Sequence, residues 1–273
     1  YVVDTAGPTG LVVSSPSHSP STWSNDNSVD FAFSGATDAN GIAGFAAVYD
    51  QTTGTEPACT TTQAGTTFTG SSSLDGNDWW IHVRARDVAG NCGPTVHLGP
   101  FWIDTAAPGA PGAVSSSSHD GGPTNDPTID VAWGAASDTL SGIDGYSFYF
   151  NGVDEDCDGT MDSDDDERST TSPPLAAGTW YFHVCAVDLA GNWGAVTTGG
   201  PYTIDLSAPE VSIVDSVVSS GGAIGENEVV NVAITQLLVS FDETLDATLA
   251  EATSSYLLVS AGIDGAIDTA ACG

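Results

Sequence analysis

Apolar and polar positions alternate with a period of two along several separate stretches of this chain. In WWIHVRARD (79–87), Trp79, Ile81, Val83 and Ala85 fall on one side, and Trp80, His82, Arg84 and Arg86 on the other. Successive side chains of a strand point to opposite faces, and arginine does not face a dry core. The first row is therefore expected inside, with Arg84 and Arg86 exposed. The same alternation places Trp180, Phe182, Val184 and Ala186 in one inward row, and Val29, Phe31 and Phe33, or Ile129, Val131 and Trp133, in others. DVAGN (87–91) and DLAGN (188–192) read as hairpin turns, because Gly and Asn tolerate the positive φ that such turns need. A chain rich in Gly, Ser, Thr and Asp weakens helices and suits short strands joined by turns.

The strands recur in order. WWIHVRARDVAGNCG (79–93) aligns without a gap to WYFHVCAVDLAGNWG (180–194), and NDNSVDFAF (25–33) to NDPTIDVAW (125–133). NGIAGFAAVY (40–49) matches SGIDGYSFYF (141–150), while VDTAGP (3–8), IDTAAP (103–108) and IDLSAP (204–209) mark the ends of units. A repeat of about 100 residues made of short alternating strands predicts a β-sandwich per unit. The expected organisation is an end of a preceding module at 1–3, full modules at 4–104 and 105–205, and an incomplete third module at 206–273.

Particular segments carry a family resemblance. VAWGAAS, GIDGYSFYFNG and LAAGTWYFHVCAVDLAGN resemble strands B, C and F of bacterial fibronectin type III and related Ig-like modules. Leu175, Gly178, Thr179 and Trp180 are the most specific part; the first unit has GND in place of Gly-Thr, and Trp79 where such families often carry tyrosine. The region 231–262 resembles the start of a different bacterial Ig-like module. The resemblance implies an all-β fold of tandem Ig-like (fibronectin type III-like) β-sandwiches, and it specifies fold more than function.

Charge narrows the partners. With 36 acidic residues against three arginines and no lysine, the formal net charge is -33. Nucleic acid and anionic membrane surfaces would be repelled. No apolar run reaches the roughly 18 residues of a membrane span, so no membrane insertion is expected. No leader is visible, and the opening YVVDTAGP reads as the end of a repeat, so any leader is expected upstream. The five cysteines lack zinc spacing and read as disulfides of an extracellular, secreted or cell-surface protein. Cys59 and Cys157 lie at equivalent places between strands C and E, so pairing within each unit gives Cys59–Cys92 and Cys157–Cys185. Cys272 is left over.

The densest acidic stretch holds nine carboxylates within 154–167. Set against the 12-residue calcium loop, Asp154, Asp156 and Asp158 take positions 1, 3 and 5, Gly159 takes 6, Thr160 offers its carbonyl at 7, and Asp162 and Asp165 take 9 and 12. This core resembles EF-hand, dockerin and thrombospondin type 3 loops. The resemblance implies a Ca²⁺ site, here without flanking helices and with Asp rather than Glu at position 12. The first unit has only DQTTGTEPAC (50–59) at this place.

No catalytic residues are expected. G-x-S-x-G, P-loop and H-E-x-x-H motifs do not occur, and among 36 acids a neighbouring pair says nothing of a glycosidase. The recurring His18/His119 and His82/His183 follow from the repeat. The leading expectation is a non-enzymatic, calcium-stabilised segment of a cell-surface stalk, fibre or adhesin. Its partners would be neighbouring modules of the same chain, like subunits, or surface glycans. The alternative is an accessory spacer of a secreted enzyme, or a carbohydrate-binding region using tryptophans such as Trp80 and Trp193.

Overall fold

The structure, a computed structural model, describes residues 3–152, 157–216 and 237–245. Seven strands build the first sandwich: β1 (Val12–Ser14), β2 (Trp23–Ser24), β3 (Ser28–Ser34), β4 (Ile42–Asp50), β5 (Thr67–Ser71), β6 (Gly76–Asp87) and β7 (Val96–Ile103). One sheet runs β1-β3-β5 and the other β2-β7-β6-β4; all pairings are antiparallel except β2 with β7. The entering segment thus switches, at one edge of the sandwich, from the first sheet (β1) to the second (β2).

The second sandwich repeats the plan with β8 (Val114–Ser116), β9 (Asp130–Trp133), β10 (Ile143–Asn151), β11 (Ser163–Asp164), β12 (Ser169–Thr171), β13 (Gly178–Asp188) and β14 (Thr197–Ile204). Its sheets are β12-β9-β8 and β11-β10-β13-β14, and a parallel bridge from Thr124 to Ile204 stands where β2 meets β7. The architecture is that of fibronectin type III and Ig-like β-sandwiches in tandem. The described residues contain no helix. Both sandwiches lie in one compact unit ending at Leu206. In the separate unit that follows, β15 (Val211–Ser216) pairs antiparallel with β16 (Leu237–Phe241). Cys272 lies outside the described residues.

The inward rows pack between the sheets. Val29, Phe31, Phe33, Phe45, Trp79, Ile81, Val83 and Phe101 form the first core, and Ile129, Val131, Trp133, Tyr146, Phe182, Val184 and Tyr202 the second. Trp180, expected inside, is only half-buried. Its indole N–H donates to the carbonyl of Ala176 at 2.9 Å, and Trp79 donates to Leu74 at 3.0 Å. Both indoles anchor the start of their strand to the loop before it, but Trp79 is in addition covered by the Tyr49 ring, stacked at 5.0 Å, which keeps it in the core.

The outer face of β6 also departs from expectation. His82 is fully buried, and Arg84 and Arg86 are half-buried rather than exposed. The connection after β4 folds across this face. Glu56 on it accepts from Thr95 Oγ1 at 2.6 Å and sits 3.6 Å from Arg84 Nη1. His82 lies between Asp50 (Nε2 to Oδ1, 3.3 Å) and His97 (Nδ1 to Nδ1, 2.6 Å). The structure joins Cys59 to Cys92 and Cys157 to Cys185, with Cα–Cα distances of 5.9 and 6.2 Å. Each bridge ties the crossing segment to the β6 or β13 region; Cys185 is buried beneath its segment, at 4% exposure.

Candidate metal centres

Of the acidic loop, Asp158, Thr160, Asp162 and Asp165 are described; Asp154 and Asp156 lie outside the described residues. Asp158 Oδ1 accepts from the Thr160 N–H at 2.8 Å and from Ser147 Oγ at 3.2 Å. Gly159 has φ +77°, which the sharp bend after Asp158 requires and an L side chain rarely adopts. Asp162 is engaged with the edge of the sheet. Its N–H donates to the Tyr146 carbonyl at 2.7 Å, and its Oδ2 accepts from the Phe148 N–H at 2.8 Å. Asp165 Oδ1 accepts from the Tyr146 hydroxyl at 3.4 Å and stands 3.9 Å from Arg168 Nη1. The second half of the loop thus runs along β10 as an added edge strand, and Asp158, Asp162 and Asp165 do not converge on one point among the described residues.

Carboxylates do converge elsewhere, at two equivalent places that local motifs did not reveal. Asp4, Asp38 and Asp87 bring one oxygen each within 4.8 Å of one another, and Asp104, Asp138 and Asp188 do the same. In each group the first aspartate belongs to the segment entering the module. The second lies in the loop before β4 or β10, and the third ends β6 or β13. Asp87, Asp104 and Asp188 are 0%, 0% and 1% exposed.

The turn chemistry explains why three acids sit so close. Asp188 Oδ1 accepts from the N–H groups of Ala190 and Asn192 at 2.9 and 2.8 Å, which closes the DLAGN turn. Asp87 Oδ1 accepts from Gly90 and Asn91 at 2.6 and 2.7 Å. Burial alone would push the Asp87 carboxyl up, but the bonds from Asn91, Gly90 and Ala89 outweigh it and hold it below the usual carboxylate range. Asp138 is lowered in the same way: desolvation opposes, while the N–H groups of Leu140, Gly142, Ser141 and Thr139 prevail. The linker aspartate is gripped from the other side. Ser141 N–H donates to Asp104 Oδ2 and Ala106 N–H to Oδ1, each at 3.0 Å. Asn192 Nδ2 donates to the Asp104 carbonyl at 2.9 Å, and Asn91 Nδ2 to that of Asp4 at 3.2 Å.

Asp104 also belongs to the first sandwich, since its N–H donates to the Ser24 carbonyl at 3.0 Å. Around it, Asn25 Nδ2 reaches the Gly191 carbonyl at 3.2 Å and Thr105 Oγ1 reaches Asp75 at 3.0 Å. The linker runs tight against the turn after β13: a Cβ on Gly194 would stand 2.7 Å from the Pro108 carbonyl oxygen. The first module repeats the contact, with a Cβ on Gly93 only 2.1 Å from the Pro8 carbonyl oxygen. The joint is thus a built structure.

The tryptophans offer less to a sugar. Trp79 and Trp133 are buried, and Trp23, Trp80, Trp102, Trp180 and Trp193 are half-buried. Trp23 and Trp102 pack at 5.3 Å with 52° between their planes, so they present no flat platform.

No family model matches the chain. It is 31% identical over 202 residues to chitinase A1 of Niallia circulans, covering 71% of this chain and 26% of that protein. It is 31% identical over 214 residues to exoglucanase B of Cellulomonas fimi, covering 73% of this chain and 18% of that protein. The chain therefore spans about a quarter or less of the length of these curated relatives. Among solved structures it is similar to the fibronectin(III)-like modules of Clostridium thermocellum CbhA (13% identity, TM-score 0.38, 72% of this chain and 95% of that one). It is likewise similar to the FN1–FN3 domains of chicken CNTN1 (15% identity, TM-score 0.40, 73% and 68%).

Proposed function

We propose that this chain is a non-catalytic accessory region of a secreted polysaccharide-degrading enzyme, in which tandem sandwiches hold other domains of the polypeptide at a set spacing. The observation that carries this reading is the similarity, over most of this chain, to a minor part of two proteins named for hydrolysis of chitin and of glucan. The geometry supports a spacer. The carboxylates that come together sit in turns at the module joints, bonded to backbone N–H groups. Two disulfides fit an oxidising, extracellular setting. The stalk, fibre or adhesin expected from the repeat is the second reading; the linker DTAAPGAP, stiffened by prolines, favours it equally.

The test is an internal deletion of residues 4–205 in the full-length native protein, assayed on soluble and on insoluble polysaccharide. The proposal predicts unchanged turnover of soluble substrate and reduced attack on the insoluble one. Loss of both activities, with the remaining domains folded, would place catalysis within this region and overturn it.

A further inference from the structure

We propose that Asp104, Asp138 and Asp188 bind a divalent cation of the calcium type at the joint between the two sandwiches, and that Asp4, Asp38 and Asp87 form the equivalent site at the entrance to the first. Three carboxylate oxygens within 4.8 Å of one another repel strongly where solvent is scarce, and two of the three acids at the joint are essentially inaccessible. The chain carries no lysine and three arginines; Arg84 pairs with Glu56 and Arg168 with Asp165, and among the described residues neither Arg86 nor any other base makes an ion pair with either triad.

A second observation points to a ligand at the joint. Ser141 is 6% exposed, and its Oγ is buried with no hydrogen-bond partner, while its own N–H is bonded to the Asp104 carboxylate. In the first module the equivalent residue is Asn40, whose side-chain amide does reach the linker aspartate, at 2.7 Å from Asp4 Oδ2. Ser141 thus brings to the joint, on the residue whose N–H holds the Asp104 carboxylate, a buried oxygen with no hydrogen-bond partner among the described residues.

The donor set selects the cation. Carboxylates and a hydroxyl are hard oxygen ligands, which suit Ca²⁺ or Mg²⁺ and not the thiolate- and imidazole-seeking metals. Ca²⁺ accepts six to eight oxygens in flexible arrangements, which fits ligands drawn from a linker, a loop and a turn. Because Asp104 is bonded to Ser24 of the first sandwich and Asp138 and Asp188 belong to the second, a cation there cross-links the two modules. The inference does not depend on whether a catalytic domain lies on the same polypeptide.

Calorimetric titration of chelator-stripped protein with CaCl₂ tests it, using residues 1–273, Asp38→Asn, Asp138→Asn and the loop variant Asp158→Asn/Asp162→Asn. Each triad variant should lose one equivalent of bound Ca²⁺, and the loop variant should keep both of those equivalents. Unchanged stoichiometry in Asp138→Asn, or no uptake by the parent chain at millimolar Ca²⁺, overturns the proposal. Should a variant misfold, anomalous diffraction from parent crystals grown in Ca²⁺ decides: a peak about 2.3–2.6 Å from oxygens of Asp104, Asp138 and Asp188 supports it, and its absence refutes it.

Discussion

The side-chain amide of Asn192 donates to the backbone carbonyl of Asp104, 88 positions earlier, at 2.9 Å. The same amide group donates to Asp188 Oδ2 at 2.8 Å, so one residue fastens the module linker to the β13–β14 turn. Replacing Asn192 by Ala removes both bonds. The expected cost is about 1–3 kcal/mol, because the Asp104 carbonyl and the Asp188 carboxylate lose a donor at a poorly solvated site. Limited proteolysis should then cut the linker 104–110 faster than in the parent chain, while both sandwiches stay folded. An unaltered cleavage rate would mean that the joint does not depend on this residue.

Phe182 is fully buried, with Trp133 at 5.4 Å, Phe150 at 5.0 Å and Phe148 at 5.9 Å between ring centroids. Phe182→Ala should destabilise the second sandwich by about 3–5 kcal/mol through the cavity it leaves. Chemical unfolding should show that module melting early and the first unaffected. A loss below about 1 kcal/mol would be inconsistent with this packing.

The Cys59–Cys92 and Cys157–Cys185 bridges span 33 and 28 residues. On loop-closure entropy each contributes roughly 3–4 kcal/mol, and the similar spans predict similar losses on removal. Cys59→Ser/Cys92→Ser and Cys157→Ser/Cys185→Ser should therefore lower the unfolding midpoints of their own modules by comparable amounts. Peptide mapping that finds cross-module pairs would contradict the arrangement.

His82 gives the first sandwich a pH dependence. Burial lowers its pKa below the ordinary 6.5, opposed by the Asp50 carboxylate and reinforced by His97. The folded protein thus binds this proton more weakly than the unfolded chain does. Its contribution is fully present above pH 6.5 and declines as pH falls from there through the folded-state value. Unfolding midpoints measured from pH 7.5 to 5 should fall in the parent chain and fall less in His82→Gln. Parallel curves would show that His82 is not the group responsible.

Much of the fold was legible because a strand's two-residue period is written directly into the order of side chains. Val29, Phe31, Ile81 and Phe182 fall inside for that reason. Alternation assigns a face of the sheet, however, and not the cover over it. His82 and Cys185 lie on an outer face that a crossing segment buries, and Trp180, without the stacked tyrosine that covers Trp79, packs only partly against its core. The disulfide pairs were readable from the repeat. The aspartate triads were not, since Asp104, Asp138 and Asp188 are far apart in the chain and each alone reads as a turn or linker residue. The signal was present in the recurrence of VDTAGP and IDTAAP, TDANG and SDTLSG, DVAGN and DLAGN, three acids kept in two units. Of the acidic loop, read as a calcium site from its D-x-D-x-D-G spacing, Asp162 and Asp165 lie against the edge of β10 and Arg168, and Asp154 and Asp156 lie outside the described residues.

The central claim, a spacer within a secreted polysaccharide-degrading enzyme, is tested most directly on the native protein. Antibody raised to residues 4–205 should be used to purify the polypeptide from culture supernatant, and the product assayed for hydrolysis of chitin and β-glucan alongside its intact mass. The account predicts a polypeptide several times the 27.6 kDa of this chain that hydrolyses one of these polymers. A purified polypeptide built of sandwich modules throughout and inactive on both would contradict it.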